Sequence, residues 1–389
     1  MDRFVYHHPV KIIFGADSVD SAGPEIAALG KRVLLVSGRS SLKTSGAWRR
    51  IMDSFSEQSA EITEFPGIQP NPLLSAVHDG IQVARSRQCE VVVGAGGGSV
   101  IDTAKAIAAG VAAGHDVWKF FTGKKSVVAR LPLVTIPTIA GSGSEINHGI
   151  VLTNDRLGRK FGFGHRYLIP DVCIADPRLT CSVPSSLTAA GAVDTLCHCL
   201  EPYLSTPQSS VPLQRGVLET IGRTIIETVA CCIENPHSVD HRSTMLWCSM
   251  AAMSGFGTAG LGKVAFTLHA LEHAVSAVTG IAHGIGLAAL LPGWLENHCH
   301  AFAGRVAEWG VRVFGVERAE PLQTAEQTIA ACRAFLRSIG CPTCLADVGV
   351  SARDLEVMAD HAADQARIWR LREFTGESIR SALVRCLRD

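Results

Sequence analysis

A chain of 389 residues is too long for one small core and predicts two or three domains. Hydrophobic residues make up 47% and charged residues 19%, which is enough apolar surface to exclude a disordered polymer. The 36 basic and 36 acidic residues cancel, so no charge excess points to nucleic acid or to an anionic membrane.

Residues 1–10 place an acid beside the base and lack an apolar stretch, so they do not read as a signal peptide. No apolar run approaches the ~20 residues that cross a bilayer. The longest, residues 287–291, is cut by Pro292. A cytoplasmic protein is expected by elimination. The 13 cysteines suit a reducing compartment, because most (Cys173, Cys231, Cys232, Cys248, Cys332) lie in apolar segments and read as small buried hydrophobes. Cys341-Pro-Thr-Cys344 has CxxC spacing but no second pair, so it reads as a loop without zinc.

Through the first half, short β-branched runs alternate with helical segments. Residues 32–37, 90–94 and 133–137 predict buried strands, and residues 74–86 an amphipathic helix. Pro66-Gly67 and Asn71-Pro72 punctuate loops. This alternation predicts a parallel, doubly wound sheet. After Asp176-Pro177 the pattern turns helical, with apolar residues at 3–4 spacing over 188–204, 211–233, 242–259, 323–338 and 352–367. Ser185-Ser186 is placed to cap the first of these helices. The expected division is an α/β dinucleotide-binding domain over 1–184 and an all-helical metal-binding domain over 185–389.

Three features carry chemistry. The run Gly94-Ala-Gly-Gly-Gly-Ser99 follows a strand and opens a helix at 100–108, where glycines and free amides admit an anion such as a pyrophosphate. It departs from GxGxxG, and an ordinary turn remains an alternative. A second polar glycine loop, 137–145, follows another strand, and such loops line the ligand crevice of α/β sheets. Asp194-x3-His198 and His269-x3-His273 each put two side chains on one helix face, and His283 follows ten residues later. Imidazole and carboxylate seldom enter apolar faces unless paired or ligated, so a shared metal, iron(II) or zinc, is the favoured reading.

Together, the glycine run with Ser99 and Asp102, the Gly141-Ser-Gly-Ser-Glu145 loop, Asp194-x3-His198 and His269-x3-His273-x9-His283-Gly284 resemble the iron-containing alcohol dehydrogenases. Gly143-Ser-Glu-Ile-Asn147, Val151-Leu-Thr-Asn154, the segment from Val193 to Tyr203 and the segment from His269 to Ala277 resemble its butanol dehydrogenase and broad-range aldehyde reductase branch. The resemblance implies a divalent metal, Fe2+ before Zn2+, on Asp194, His198, His269 and His283. It makes His273 the histidine beside nicotinamide and substrate, a proton relay. It places Gly97, Gly98 and Ser99 at the pyrophosphate, with Thr138 and Ser142 along the cofactor. Asp102 matches the acid after the glycine run, and Lys160 a lysine near the cofactor ribose. Glu201 and Tyr203 also match, with helix packing an equal alternative. Two departures bear on substrate pocket or subunit contact: residues 368–375 replace a late Asn-Pro-Arg signature, and His148 stands where small residues are common.

The activity implied is hydride transfer between NAD(P)H and an aldehyde or primary alcohol by a homodimer or larger homo-oligomer. Phe163, Phe256 and Phe266 suit a mostly apolar pocket near the metal histidines. Alternatives are a non-redox metal enzyme resembling dehydroquinate synthase, or a nucleotide-binding regulatory protein with a structural metal. Cofactor choice is read at the end of the first buried strand, where an acid would hold the ribose hydroxyls and repel a 2′-phosphate. That position is Gly38, followed by Arg39, Ser40, Ser41 and Lys43, so Gly38, Ser40 and Ser41 leave room and NADP is favoured over NAD.

Overall fold

The β-branched runs 33–36 and 91–93 are buried on both faces, as a parallel sheet between helices requires. The computed structural model describes residues 1–206 and 211–388. Its main sheet contains β1 (Lys11–Phe14), β2 (Arg32–Gly38), β3 (Glu61–Ile68), β4 (Val91–Gly96), β5 (Leu133–Pro137) and β8 (Val172–Ala175). All pairings are parallel, in the order β1-β8-β5-β4-β2-β3. Between β5 and β8 the chain makes an antiparallel hairpin, β6 (Gly149–Asn154) with β7 (Arg159–Gly164). From β2 the chain moves outward to β3 and then returns to the other side of β2 for β4. This reversal sets the carboxyl ends of β2 and β4 side by side, where an α/β sheet opens a ligand crevice.

Alternate residues face opposite layers. Val33, Leu35, Val91, Val93, Val134, Ile136, Val172 and Ile174 pack with Ala22, Ile26, Ala47 and Ile51 of two short helices. On the other face of β8, Cys173 and Ala175 meet Leu246 and Met250. The latter pair belongs to the helix Val239–Met253, which therefore joins the α/β unit although the run around it is helical. The chain forms two compact units. One is His8–Val183 with Pro236–Met253; the other is Met1–His7, Pro184–Asn235 and the chain from Ser254 onward. The compact units differ from the expected division at 184/185 by one helix and the first seven residues. Pro207–Ser210 and Asp389, inside the expected 185–389 domain, lie outside the described residues.

Other expectations need correction. Pro66-Gly67 lies within β3 rather than in a loop; β3 is an edge strand, where proline costs no ladder bond on its open side. β1, β3, β8 and the hairpin were not anticipated: β1 and β3 are partly exposed and lack clean alternation, and β8 is only four residues long. The helix expected over 242–259 ends at Met253, because Gly255 adopts φ 78°. Pro184, not a serine, is the cap residue of the helix Ser185–Ser205 and makes no side-chain cap bond; Ser185-Ser186 lie inside its first turn. Pro292 does not cut its apolar run: it sits inside the helix that begins at His283, which kinks only later, at Phe302. No helix among the described residues is long and apolar enough to cross a membrane.

Candidate metal and nucleotide sites

In the helical unit, Asp194 and His198 lie one turn apart on Ser185–Ser205, so both side chains leave the same face. His269 and His273 repeat this on Thr267–Thr279, and His283 opens the next helix after a three-residue turn. Gly284 brings that helix home: a Cβ there would stand 2.1 Å from the Ala190 carbonyl oxygen. Only glycine permits this approach, and it swings His283 over Asp194.

Three imidazole nitrogens surround one carboxylate oxygen. From Asp194 Oδ1, His198 Nδ1 lies at 3.6 Å, His269 Nε2 at 3.5 Å and His283 Nε2 at 3.7 Å. Metal–ligand bonds of about 2.1 Å would set tetrahedral edges of about 3.4 Å, close to these separations. Asp194 Oδ1 and His269 Nε2 are buried and make no hydrogen bond. Such orphaned atoms are costly unless an ion completes them. The residues therefore fit a divalent cation. The electrostatics agree. Burial alone would raise the Asp194 carboxyl, but His198, His269 and His283 hold it well below the usual carboxylate range. Burial likewise opposes the His269 imidazolium, yet Glu201 and Asp194 push His269 up to about 10. This pocket attracts positive charge. His283, partly exposed, marks its open side.

His273 stands beside the cluster, its ring 5.7 Å from that of His283. Its Nδ1 faces Gln365 Oε1 at 3.2 Å, and Trp369 meets the ring edge-on at 5.5 Å. Trp369 belongs to the segment 368–375 that departs from the family signature, so this departure touches the candidate catalytic histidine.

In the α/β unit, the two glycine loops meet. A Cβ on Gly97 would reach 2.7 Å from Ile139, and one on Gly98 would reach 2.5 Å from Ser142 Oγ. Thr138 N donates to Gly96 O at 3.0 Å. Gly97 precedes the 15-residue helix Gly98–Ala112, whose free amides face the same end of β4. Ser99 is half-buried there. Ser37 pairs with Ala95, so Gly38, Ser40 and Ser41 lie at the neighbouring strand end. Both cations of that loop are engaged: Arg39 donates to Gln69 Oε1 at 2.9 Å, and Lys43 pairs with Glu64 at 2.9 Å.

Asp102 and Lys160 are buried. Asp102 accepts from Ser144 Oγ at 2.5 Å and Val151 N at 2.8 Å, so its carboxylate braces the loop and hairpin. Lys160 lies on β7 opposite Thr153. Of the three phenylalanines, Phe266 stands 5.5 Å from His269 and 6.3 Å from His198. Phe256 is exposed beside Tyr6, and Phe163 stacks on Phe120 in the α/β unit. Tyr203 donates to Glu219 at 2.7 Å, which supports the packing alternative. The sequence reading missed Lys105 and Glu272, and did not single out Glu201 from its packing alternative. All three are completely buried. The signal for Glu201 was present, since residues 194, 198 and 201 share one helix face.

The comparisons agree along the chain. The family model described as "Iron-containing alcohol dehydrogenase" matches residues 9–177, and "Fe-containing alcohol dehydrogenase family, C-terminal" matches 188–386. The chain is 35% identical to the probable NADH-dependent butanol dehydrogenase 1 of Bacillus subtilis, over 98% of this chain and 99% of the relative. It is 28% identical to the NADPH-dependent aldehyde reductase YqhD of Escherichia coli, over 92% of each. The crystal structure of NADH-dependent butanol dehydrogenase A from Thermotoga maritima superposes with TM-score 0.95 at 32% identity, covering 100% of this chain and 99% of that one. With both halves matched in order, the chain belongs to the iron-containing alcohol dehydrogenase family.

Proposed function

We propose that this enzyme reduces short and medium aliphatic aldehydes to primary alcohols with a nicotinamide dinucleotide, NADPH before NADH. Three histidine nitrogens converging on one buried aspartate oxygen, with His273 beside them, carry this reading. Asp194, His198, His269 and His283 would hold the metal, Fe2+ before Zn2+. When bound, the metal supplies Lewis acidity at a carbonyl oxygen and the nicotinamide supplies the hydride.

The chain's own residues orient and move protons. Gln365 Oε1 accepts from His273 Nδ1, which leaves Nε2 as the atom that gives a proton to the nascent alcohol or takes one in the oxidative direction. Phe266 gives the ligand corner an apolar wall that favours an alkyl chain over a charged acid. Gly97, Gly98, Ser99, Thr138 and Ser142 would line the pyrophosphate and its surroundings, with Lys160 toward the ribose. The absence of an acid at Gly38 supports NADPH. The enzyme works as a homodimer or larger homo-oligomer.

The test follows reduced-nicotinamide absorbance over an aldehyde series from ethanal to octanal. Activity is expected to vanish on chelation and to return with Fe2+ or Zn2+. His269→Ala should lose the metal. His273→Ala should keep it and lose about 10²–10⁴-fold in rate. A protein inert toward every aldehyde but active on a charged acid would sink the reading, as would unchanged metal content in both Asp194→Ala and His269→Ala.

A further inference from the structure

Two carboxylates behind the ligand histidines remain outside the roles assigned above. Glu201 is wholly buried and belongs to the same helix face as Asp194 and His198. Its Oε1 meets His269 Nδ1 and also accepts from His269 N at 3.3 Å, while Oε2 accepts from Leu268 N at 2.6 Å. Those amides lie in the first turn of Thr267–Thr279, where no intrahelical acceptor exists. Glu201 thus fixes both the start of that helix and the ring of the histidine it carries.

Glu272 holds the ring of His283. It is wholly buried; Oε2 meets His283 Nδ1, and Oε1 accepts from Ser276 Oγ at 2.5 Å. Space for it is provided by Gly286, where a Cβ would stand 2.7 Å from Oε1 and 3.0 Å from Cγ. Both imidazoles are held alike: Nδ1 toward a glutamate, Nε2 toward Asp194 at 3.5 Å for His269 and 3.7 Å for His283.

We propose that Glu201 and Glu272 are positioning residues for the metal, each accepting the Nδ1–H of one ligand histidine and so committing its Nε2 to the ion. The inference rests on the metal reading above. A carboxylate behind an imidazole fixes its tautomer and orientation and raises its donor strength, and losing such a partner costs about 10–100-fold in metal affinity. The two anchors act on different helices, so the effects of their loss should be separable. Glu272, His273 and His283 also present donor atoms within 4.8 Å of one another. The anchor role assigns them no second ion, because His283 already turns its other nitrogen toward Asp194.

The experiment uses the full chain loaded with Zn2+ or Co2+ and reads ions per chain, release rate to a chelator and the Co2+ visible spectrum. Wild type should hold one ion. Glu201→Gln and Glu272→Gln should each release it about 10–100-fold faster and perturb the Co2+ bands. Glu219→Gln, which neutralises the acceptor of Tyr203 instead, should release it at the wild-type rate. Gly286→Ala crowds Glu272 without altering any charge and should also speed release. It carries the test of Glu272 if the glutamine variants do not fold. Wild-type release and spectra in the folded variants would overturn the proposal, and so would two ions per chain with Glu272 as a ligand. A wild-type chain that takes up no metal would instead defeat the metal reading itself.

Discussion

Lys105 shows what burial does to one charge. It is completely buried on Gly98–Ala112, and its ammonium donates to Asn147 O at 2.8 Å, Asn147 Oδ1 at 3.1 Å and Gly149 O at 2.9 Å. It therefore latches the loop that runs from Gly141 into β6. Burial lowers its pKa to about 8, against the opposing pull of Asp102 and Glu145. The unfolded chain keeps this proton up to about 10.5. Between these values the unfolded state binds more protons, so this lysine's contribution to stability rises with pH and is smallest below 8. The shift corresponds to about 3 kcal/mol. Urea unfolding under reducing conditions should show wild type gaining on Lys105→Met by up to that amount between pH 8 and 10.5; parallel pH profiles would refute it. Gly38 poses a different question of charge. A Cβ there would meet Ser41 Oγ at 3.7 Å, Ile68 O at 3.8 Å and Val100 at 4.0 Å, which are ordinary contacts, so a side chain fits. Wild type is expected to favour NADPH in kcat/KM by about tenfold, or ~1.4 kcal/mol. Gly38→Asp should move preference toward NADH by repelling the 2′-phosphate. A wild-type preference for NADH that this substitution leaves untouched would show that the loop does not read the ribose.

At the scale of elements, the corner proposed to hold the metal depends on how closely two helices pass. Gly284→Ala would drive a methyl into the Ala190 backbone and push His283–Trp309 away from Ser185–Ser205. Overpacking of this kind costs about 1–3 kcal/mol. It should also lower metal content, because His283 and Asp194 lie on the two separated helices. Denaturant melts and metal analysis would reveal both effects; a variant matching wild type in each would break the link. The same corner shows what the sequence discloses. Four-residue spacing placed Asp194 with His198 and His269 with His273, because a helix turns side chains back on that period. Buried strands β2, β4 and β5 were legible as β-branched runs. The edge strand β3 was not, because its Pro66-Gly67 carries a turn signal that an open edge tolerates. Glu272 reads as ordinary helix surface, and Glu201, though it shares the face of Asp194 and His198, reads equally as packing; tertiary contact shows that each faces an imidazole from another segment. Helix Val239–Met253 reads as part of a helical run, yet its packing partners are strand residues far away in sequence.

For the whole molecule, the proposed homo-oligomer is most readily tested at the first residues. Residues 1–10 join no helix or strand, although Asp2 N is tied to Gly260 O at 3.0 Å. Met1, Phe4, Val5 and Tyr6 are all exposed, Val5 at 94%, and Phe256, also exposed, packs edge-on against Tyr6. Apolar side chains gathered on one exposed segment form a patch that water disfavours. In a two-fold dimer both copies present this same segment, so its apolar side chains meet their own kind. A formal net charge of zero adds little repulsion between copies. Wild type should therefore scatter light as a dimer or larger multiple at micromolar concentration. Phe4→Ser with Val5→Asp should shift it toward the monomer, because an aspartate in each copy would be desolvated against the other. Metal content should stay unchanged, since neither residue approaches the ligand histidines in sequence or contact. Chromatography coupled to light scattering reads the assembly, and metal analysis of the same fractions checks the fold. Dimers of undiminished size in the double variant would remove the N-terminal segment from the interface.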